Sequence, residues 1–184
     1  MVKISYKITG LLANISGIGG LILSFIGLTF QQYFPWVKFK SDRFLLTRFR
    51  EGEVFWEWIY YELSPFILHY NSETGEIMTN WFYRVNMTVT GVTCAMGIVL
   101  SLMGIALNRK KVTLAGGLAI VFSMIAFATS LPGVYPNFNW GWGAKATFYG
   151  ALLIMLSAAL RTIYENGVRN EEYLSSLIKL WQKK

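Results

Sequence analysis

Cysteine is almost missing from this chain: one of its 184 residues, Cys94, carries a thiol, and it sits inside an apolar run. One thiol makes no intramolecular disulfide, so any folded loop must be held by packing and hydrogen bonds. Paired-thiol redox chemistry within the chain is excluded as well. Histidine is equally scarce, with His69 alone. A metal or haem centre draws on several convergent ligands; His69 is therefore expected to be an ordinary loop residue, and no cofactor and no metal are expected. Charge is low too, at 15% of residues against about a quarter in soluble domains. No Gly-rich phosphate loop, nucleophile elbow or zinc spacing occurs. Glu51, Glu53, Glu57 and Glu62 lie close together, but basic residues surround them. They are expected to form a solvated face with weak ion pairs rather than an acid–base pair.

What the chain has instead is apolar length. Hydrophobic residues make up 54% and aromatics 16%, too apolar a mix for a dispersed soluble domain. Residues 1–30 contain a first span, charge-free from Gly10 to Phe30 and read as a retained signal-anchor rather than a cleaved leader. Further spans cover 85–107, 112–131 and 144–160, each near the length a helix needs to cross roughly 30 Å of hydrocarbon. Asn108-Arg109-Lys110-Lys111 makes a tight hairpin between the second and third. Pro132-Gly133 and Pro136 stop the third, and residues 132–143 form a short outer loop. Trp140 and Trp142 fall where an interfacial aromatic belt is expected.

Orientation follows from charge. The two ends and the hairpin carry ten lysines and arginines against three acids; the two remaining connections, with Lys145, carry seven against seven. The whole net charge of +7 thus lies on one side, as the positive-inside rule demands. The expectation is a multi-pass plasma-membrane protein with both termini cytoplasmic, its basic charge serving insertion and anionic lipid rather than nucleic acid.

Residues 31–84 are too aromatic for a disordered tether. Trp36 to Lys40 alternates as a half-buried strand does. Phe44–Arg50 and Val54–Tyr61 flank a turn at Glu51-Gly52-Glu53, and Phe66–Tyr70 and Glu76–Tyr83 flank Asn71 to Gly75. These signals predict a small extracellular antiparallel sheet of about three to five strands, with Val54–Leu63 as an alternative helix. In the tail, 161–184, a helix is expected to restart after Asn166-Gly167 with Asn170 as a candidate N-cap, and Tyr173, Leu174, Leu177, Ile178, Leu180 and Trp181 recur at helical spacing. That pattern predicts an interfacial amphipathic helix, docked on lipid or on a partner, with Trp181 at the interface. The fold class is an all-α, four-helix transmembrane bundle carrying a small extracellular β-sheet.

This plan resembles the claudin and peripheral-myelin-protein group of tetraspan proteins, on the strength of its topology over residues 1–165 and of Pro35-Trp36, Trp56 and Trp58 in the first outer loop. The Gly-Leu-Trp and paired cysteines of that group have no counterpart here. The resemblance implies a sheet in the first outer loop and an adhesion or barrier role.

Between their ends the spans hold no Asp, Glu, Lys, Arg or His, which argues against a proton relay or ion-coupled transporter. Thr88, Thr90, Thr93, Ser101, Ser123, Thr129, Thr147 and Ser157 are the hydroxyls left to line a path or to bond back to their own helices. Small residues are plentiful. Ala13/Gly17 and Ser16/Gly20/Ser24 make two small-residue faces on the first helix, with Gly97/Ser101 and Ala119/Ser123 on the second and third. One face of the first helix is expected to pack the bundle and the other to meet a partner. The function expected is a non-catalytic membrane subunit bound to other membrane proteins and to lipid, or to copies of itself. The alternatives are an adhesion or barrier protein, and a passive channel or lipid- or quinone-handling enzyme.

The charge split yields a direct test. In a Cys94→Ser background, cysteines at Ser72 and at Ser175 should react differently with an impermeant thiol reagent on intact cells. Labelling is expected at 72 and not at 175; the reverse would invert the topology.

Overall fold

A computed structural model describes residues 2–30, 36–50, 53–63, 81–130 and 138–182. In order they form α1 (Val2–Thr29), β1 (Val37–Arg50), β2 (Glu53–Leu63), α2 (Trp81–Ala106), α3 (Lys110–Ser130), β3 (Phe138–Trp140) and α4 (Trp142–Gln182). Each helix contains a segment long and apolar enough to cross a membrane: Ile8–Thr29, Thr88–Ala106, Lys110–Thr129 and Trp142–Tyr173. The chain is a multi-pass membrane protein built almost entirely on helices. Apolar side chains such as Leu11, Ile15, Ile22, Val99, Phe122 and Leu156 point outward, where lipid tails solvate them as well as a protein core would.

With lipid outside, apolar burial cannot drive the helices together, so fit must. α1 packs chiefly against α4, and α2 against α3, with α3 against α4 joining the two pairs. Both pairs are antiparallel and both use one arrangement of small residues. On α1 the contact face is Gly20, Ser24 and Gly27; on α2 it is Gly97, Ser101 and Gly104, at the same spacing. Their partners match as well: Thr147, Gly150 and Ile154 on α4, and Thr113, Gly116 and Ile120 on α3. A Cβ added at Gly20 would lie 2.6 Å from the Gly150 carbonyl oxygen, and one at Gly97 would lie 2.8 Å from the Gly116 carbonyl oxygen. Added at Gly150 or Gly116, it would collide with the hydroxyl of Ser24 or Ser101. In both pairs the missing side chains let one backbone lie directly on the other.

The α1–α4 contact runs further. The Tyr164 ring covers Gly10, the Tyr6 ring covers Gly167, and the Ser157 hydroxyl donates to the Ala13 carbonyl at 2.6 Å. This explains why α4 does not stop at Asn166-Gly167 and restart as a separate tail helix. Gly167 is buried under Tyr6, so its lack of a side chain serves packing, and helical hydrogen bonding continues to Gln182. At 41 residues α4 is about 60 Å long, twice the hydrocarbon thickness, so its last turns extend the bundle axis.

The strands correct the expected sheet. β1 and β2 pair antiparallel from Val37↔Leu63 to Arg50↔Glu53, with irregularities between Lys40 and Phe44 and between Leu46 and Arg48. Val54–Leu63 is therefore strand, not helix. Beyond this ribbon only one short strand is present among the described residues, and it comes from the other loop: β3 joins β1 through Val37↔Trp140 to Phe39↔Phe138. A self-contained sheet within residues 31–84 does not form from the described residues. Trp81 to Tyr83, expected to end a strand, open α2 instead, where their carbonyls accept the first helical hydrogen bonds. The turn at Glu51-Gly52, the Phe66–Gly75 hairpin signal, His69 and the Pro132-Gly133 stop lie outside the described residues.

Gly20→Ala should destabilise the isolated protein by about 1–3 kcal/mol through overpacking. Gly19, whose Cβ would meet nothing within 4 Å, should tolerate alanine or gain up to about 1 kcal/mol in helix propensity. Unfolding in detergent compares the two; equal effects would refute the α1–α4 register.

Candidate functional site

α1 ends at the mouth of the bundle, and a few residues later the chain returns to it. Trp36 is fully buried there, and its indole Nε1–H donates to the Gly27 carbonyl at 2.8 Å. Its ring meets Phe127 of α3 edge-on, centroids 6.2 Å apart at 68°. Phe127 makes a second edge contact with Trp140, at 6.2 Å and 65°. Gly141 N–H donates to the Trp36 carbonyl at 2.8 Å, and β3 pairs with β1 one residue on. Leu28, Met124 and Ala144 complete the buried cluster. A tryptophan placed so has both its large apolar surface and its one polar atom satisfied. The ribbon is thereby fastened at its base to α1, α3 and the start of α4.

Beside this anchor, between α3 and α4, lies a cleft of about 230 Å³ lined by Met124, Ile125, Trp140 and Phe148, with Lys145 the single charge on its wall. The Lys145 ammonium stands 5.6 Å from the centroid of the Trp142 ring, within cation–π reach. Trp142 is 72% exposed, as an interfacial residue is, whereas Trp140 is half-buried and packs on Phe127. The Trp181 side chain lies outside the described residues.

The small residues of α1 gather on one interface instead of two. Ala13, Gly17, Gly20 and Ser24 are all buried, and the contacts of Gly17, Gly20 and Ser24 run to α4, with Ile105 of α2 also against Gly17. Ser16 is half-buried at the margin, its hydroxyl donating to the Ala13 carbonyl at 3.1 Å. Residues 13/17 and 16/20/24 thus form one broad surface, and the bundle itself occupies it. On α3 the packing face is Thr113, Gly116 and Ile120; Ser123 bonds back to Ala119 at 2.8 Å.

Most hydroxyls in the spans are engaged with backbone; among the described residues Thr88, which is exposed, and Thr90, which is buried, make no such bond. Thr93, Ser101, Ser123, Thr129 and Thr147 bond back within their own helices. Ser24 and Ser157 cross to the facing helix, reaching the Thr147 and Ala13 carbonyls. Among the described residues no group of three or more His, Cys, Asp or Glu could hold a metal, and Cys94 is buried and unpaired.

Sequence reading missed Trp36 as the anchor and missed the α3 and α4 halves of the helix contacts. The second had a signal: the Gly-x-x-x-Ser-x-x-Gly spacing at 20/24/27 recurs at 97/101/104, and Thr-x-x-Gly-x-x-x-Ile at 147/150/154 recurs at 113/116/120. No protein-family model matches the chain, and no curated protein matches it in sequence.

Removing the anchor should loosen the ribbon. Trp36→Ala is expected to cost about 3–5 kcal/mol and to speed proteolytic cutting between residues 37 and 63, while Trp36→Phe, which loses only the indole N–H and some area, should fall between. Wild-type proteolysis rates in Trp36→Ala would show that the ribbon is held by something else.

Proposed function

We propose that this protein is a non-catalytic membrane subunit that presents its β-ribbon, on the outer side, to partner membrane proteins. The observation that carries the reading is the anchor. A long ribbon whose base is fixed by a buried tryptophan, a hydrogen bond to α1 and a strand from the second loop loses little further freedom on binding, which favours recognition. The partner surface assigned to α1 moves accordingly, because its small residues are covered by α4. What remains for neighbours in the membrane is the lipid-facing side of the helices and the ribbon.

Two features weigh against the alternatives. Most hydroxyls of the spans, Ser24, Ser101, Thr147 and Ser157 among them, bond to backbone carbonyls, which supports a packed bundle over a passive polar path within one chain. The cleft beside Trp140 is apolar and holds no acid or histidine, which disfavours a catalytic reading. An adhesion role would use the same ribbon against an opposing cell; copurification separates the two.

The test is a chain in which residues 43–58 are replaced by a short Gly-Ser connection, keeping the base pairs at Val37–Lys40 and Tyr60–Leu63. In mild detergent the intact chain should recover a membrane protein in stoichiometric amount and the shortened chain should not, with similar melting temperatures. Equal recovery by both, or recovery of nothing but copies of this chain, would defeat the subunit reading.

A further inference from the structure

At the opposite end of the bundle from the ribbon, a cavity of about 310 Å³ lies between α1, α4 and the α2–α3 hairpin, lined by Gly10, Ala13, Asn14, Asn108, Arg161 and Tyr164. Its chemistry differs from the rest of the bundle. Asn14 is a polar side chain about two turns inside the span of α1, which begins at Ile8. Arg161 directly follows the last residue of the uncharged stretch that ends at Leu160. Asn108 holds its place with φ 59°, a left-handed conformation that asparagine tolerates. The cavity thus lies at the hairpin end of the spans, between residues inside the apolar segment of α1 and the first charge after that of α4.

The charge here is uncompensated. Arg161 and Glu165 are four residues apart on α4, a spacing at which such side chains pair. Glu165 instead bonds Lys110 of α3 at 2.6 Å. Among the described residues no hydrogen bond or ion pair engages the Arg161 guanidinium or the Asn14 amide. The cavity wall thus offers a guanidinium fork, two amides and a phenol as donors, with no carboxylate among its lining residues. A planar guanidinium facing a membrane edge matches the two oxygens of a phosphate. Arg109 and Lys111, exposed on the hairpin, add positive potential at the same level. Basic pockets between spans on this side are the usual seats of anionic headgroups.

We infer that this cavity binds the phosphate of an anionic phospholipid from the leaflet on the hairpin side, with Arg161 as the phosphate ligand and Asn14 and Asn108 as amide donors. Gly10 and Ala13, which carry little or no side chain, leave the room.

The experiment uses the full chain in detergent, with phosphatidylglycerol, phosphatidylcholine or inorganic phosphate as probes, read by native mass spectrometry and by thermal stability. One phosphatidylglycerol per chain should be retained in preference to phosphatidylcholine and should raise the melting temperature. Arg161→Gln should reduce retention about tenfold or more, Asn14→Leu should weaken it, and Arg161→Lys should keep part of it. Asn108→Gly, which preserves the backbone conformation, should weaken it without altering the lipid-free melting temperature. Lys145→Gln, at the opposite end of the bundle, should leave it intact. Retention that ignores both Arg161→Gln and Asn14→Leu, or that is equal for the two lipids, would overturn the assignment. Stabilisation by inorganic phosphate alone, equal to that by lipid and lost in Arg161→Gln, would overturn the lipid source and leave a soluble-anion site.

Discussion

Gly20 and Gly150 let α1 and α4 touch backbone to backbone, and most of the structure depends on that approach. In a bilayer two leucine-faced helices gain nothing by leaving lipid for each other. Close approach gains many dispersion contacts along the whole length, and it brings hydroxyls within reach of carbonyls on the facing helix, as in Ser157 to Ala13. The same arrangement recurs between α2 and α3 with Gly97 and Gly116. Because successive helices alternate in direction, the two copies point opposite ways along the bundle. Each stacks Gly against a carbonyl, Ser against Gly, and Gly against Thr. Similar local physics has met the same need twice, with no help from apolar burial.

The two ends of the bundle then carry different chemistry because different residues close them. At the ribbon end, α1 and α4 meet at Gly27 and Gly143, and the gap above them is capped by Trp36 and Phe127. That cap is aromatic and holds the bases of β1 and β3 together. At the hairpin end, α1 and α4 are spaced by Tyr6 and Tyr164 lying over glycines. Rings hold backbones farther apart than glycine against glycine does, and a polar cavity opens beside them. One end holds a strand ribbon in a fixed position; the other offers donors to an anion.

Much of this is legible in the sequence. Four uncharged runs, a tight basic hairpin and a one-sided charge distribution follow directly from composition along the chain. The alternation at Trp36–Lys40 signals a strand, whereas Val54–Leu63, beside a turn signal, is open between strand and helix. Less legible was which glycine does what. Asn166-Gly167 looks like a helix stop, and Gly20 looks like a partner face, because a glycine signals a missing side chain without saying what fills the space. Gly167 is filled by Tyr6 and Gly20 by Gly150, and both partners are far away in sequence.

That this chain crosses a membrane several times follows from its composition alone, because segments of some twenty residues without charge are most stable in a bilayer. The sequence also sets the spacing of the small residues. Tertiary structure alone decided that both small-residue faces of α1 fuse into one interface, that the third strand comes from the second loop, that Trp36 locks the ribbon, and that Glu165 chooses Lys110 and leaves Arg161 open. Each of these is a choice between partners of comparable local suitability. Such choices are settled only when all four helices are packed together, since the free energy separating them lies in shape fit and charge pairing across elements remote in the chain.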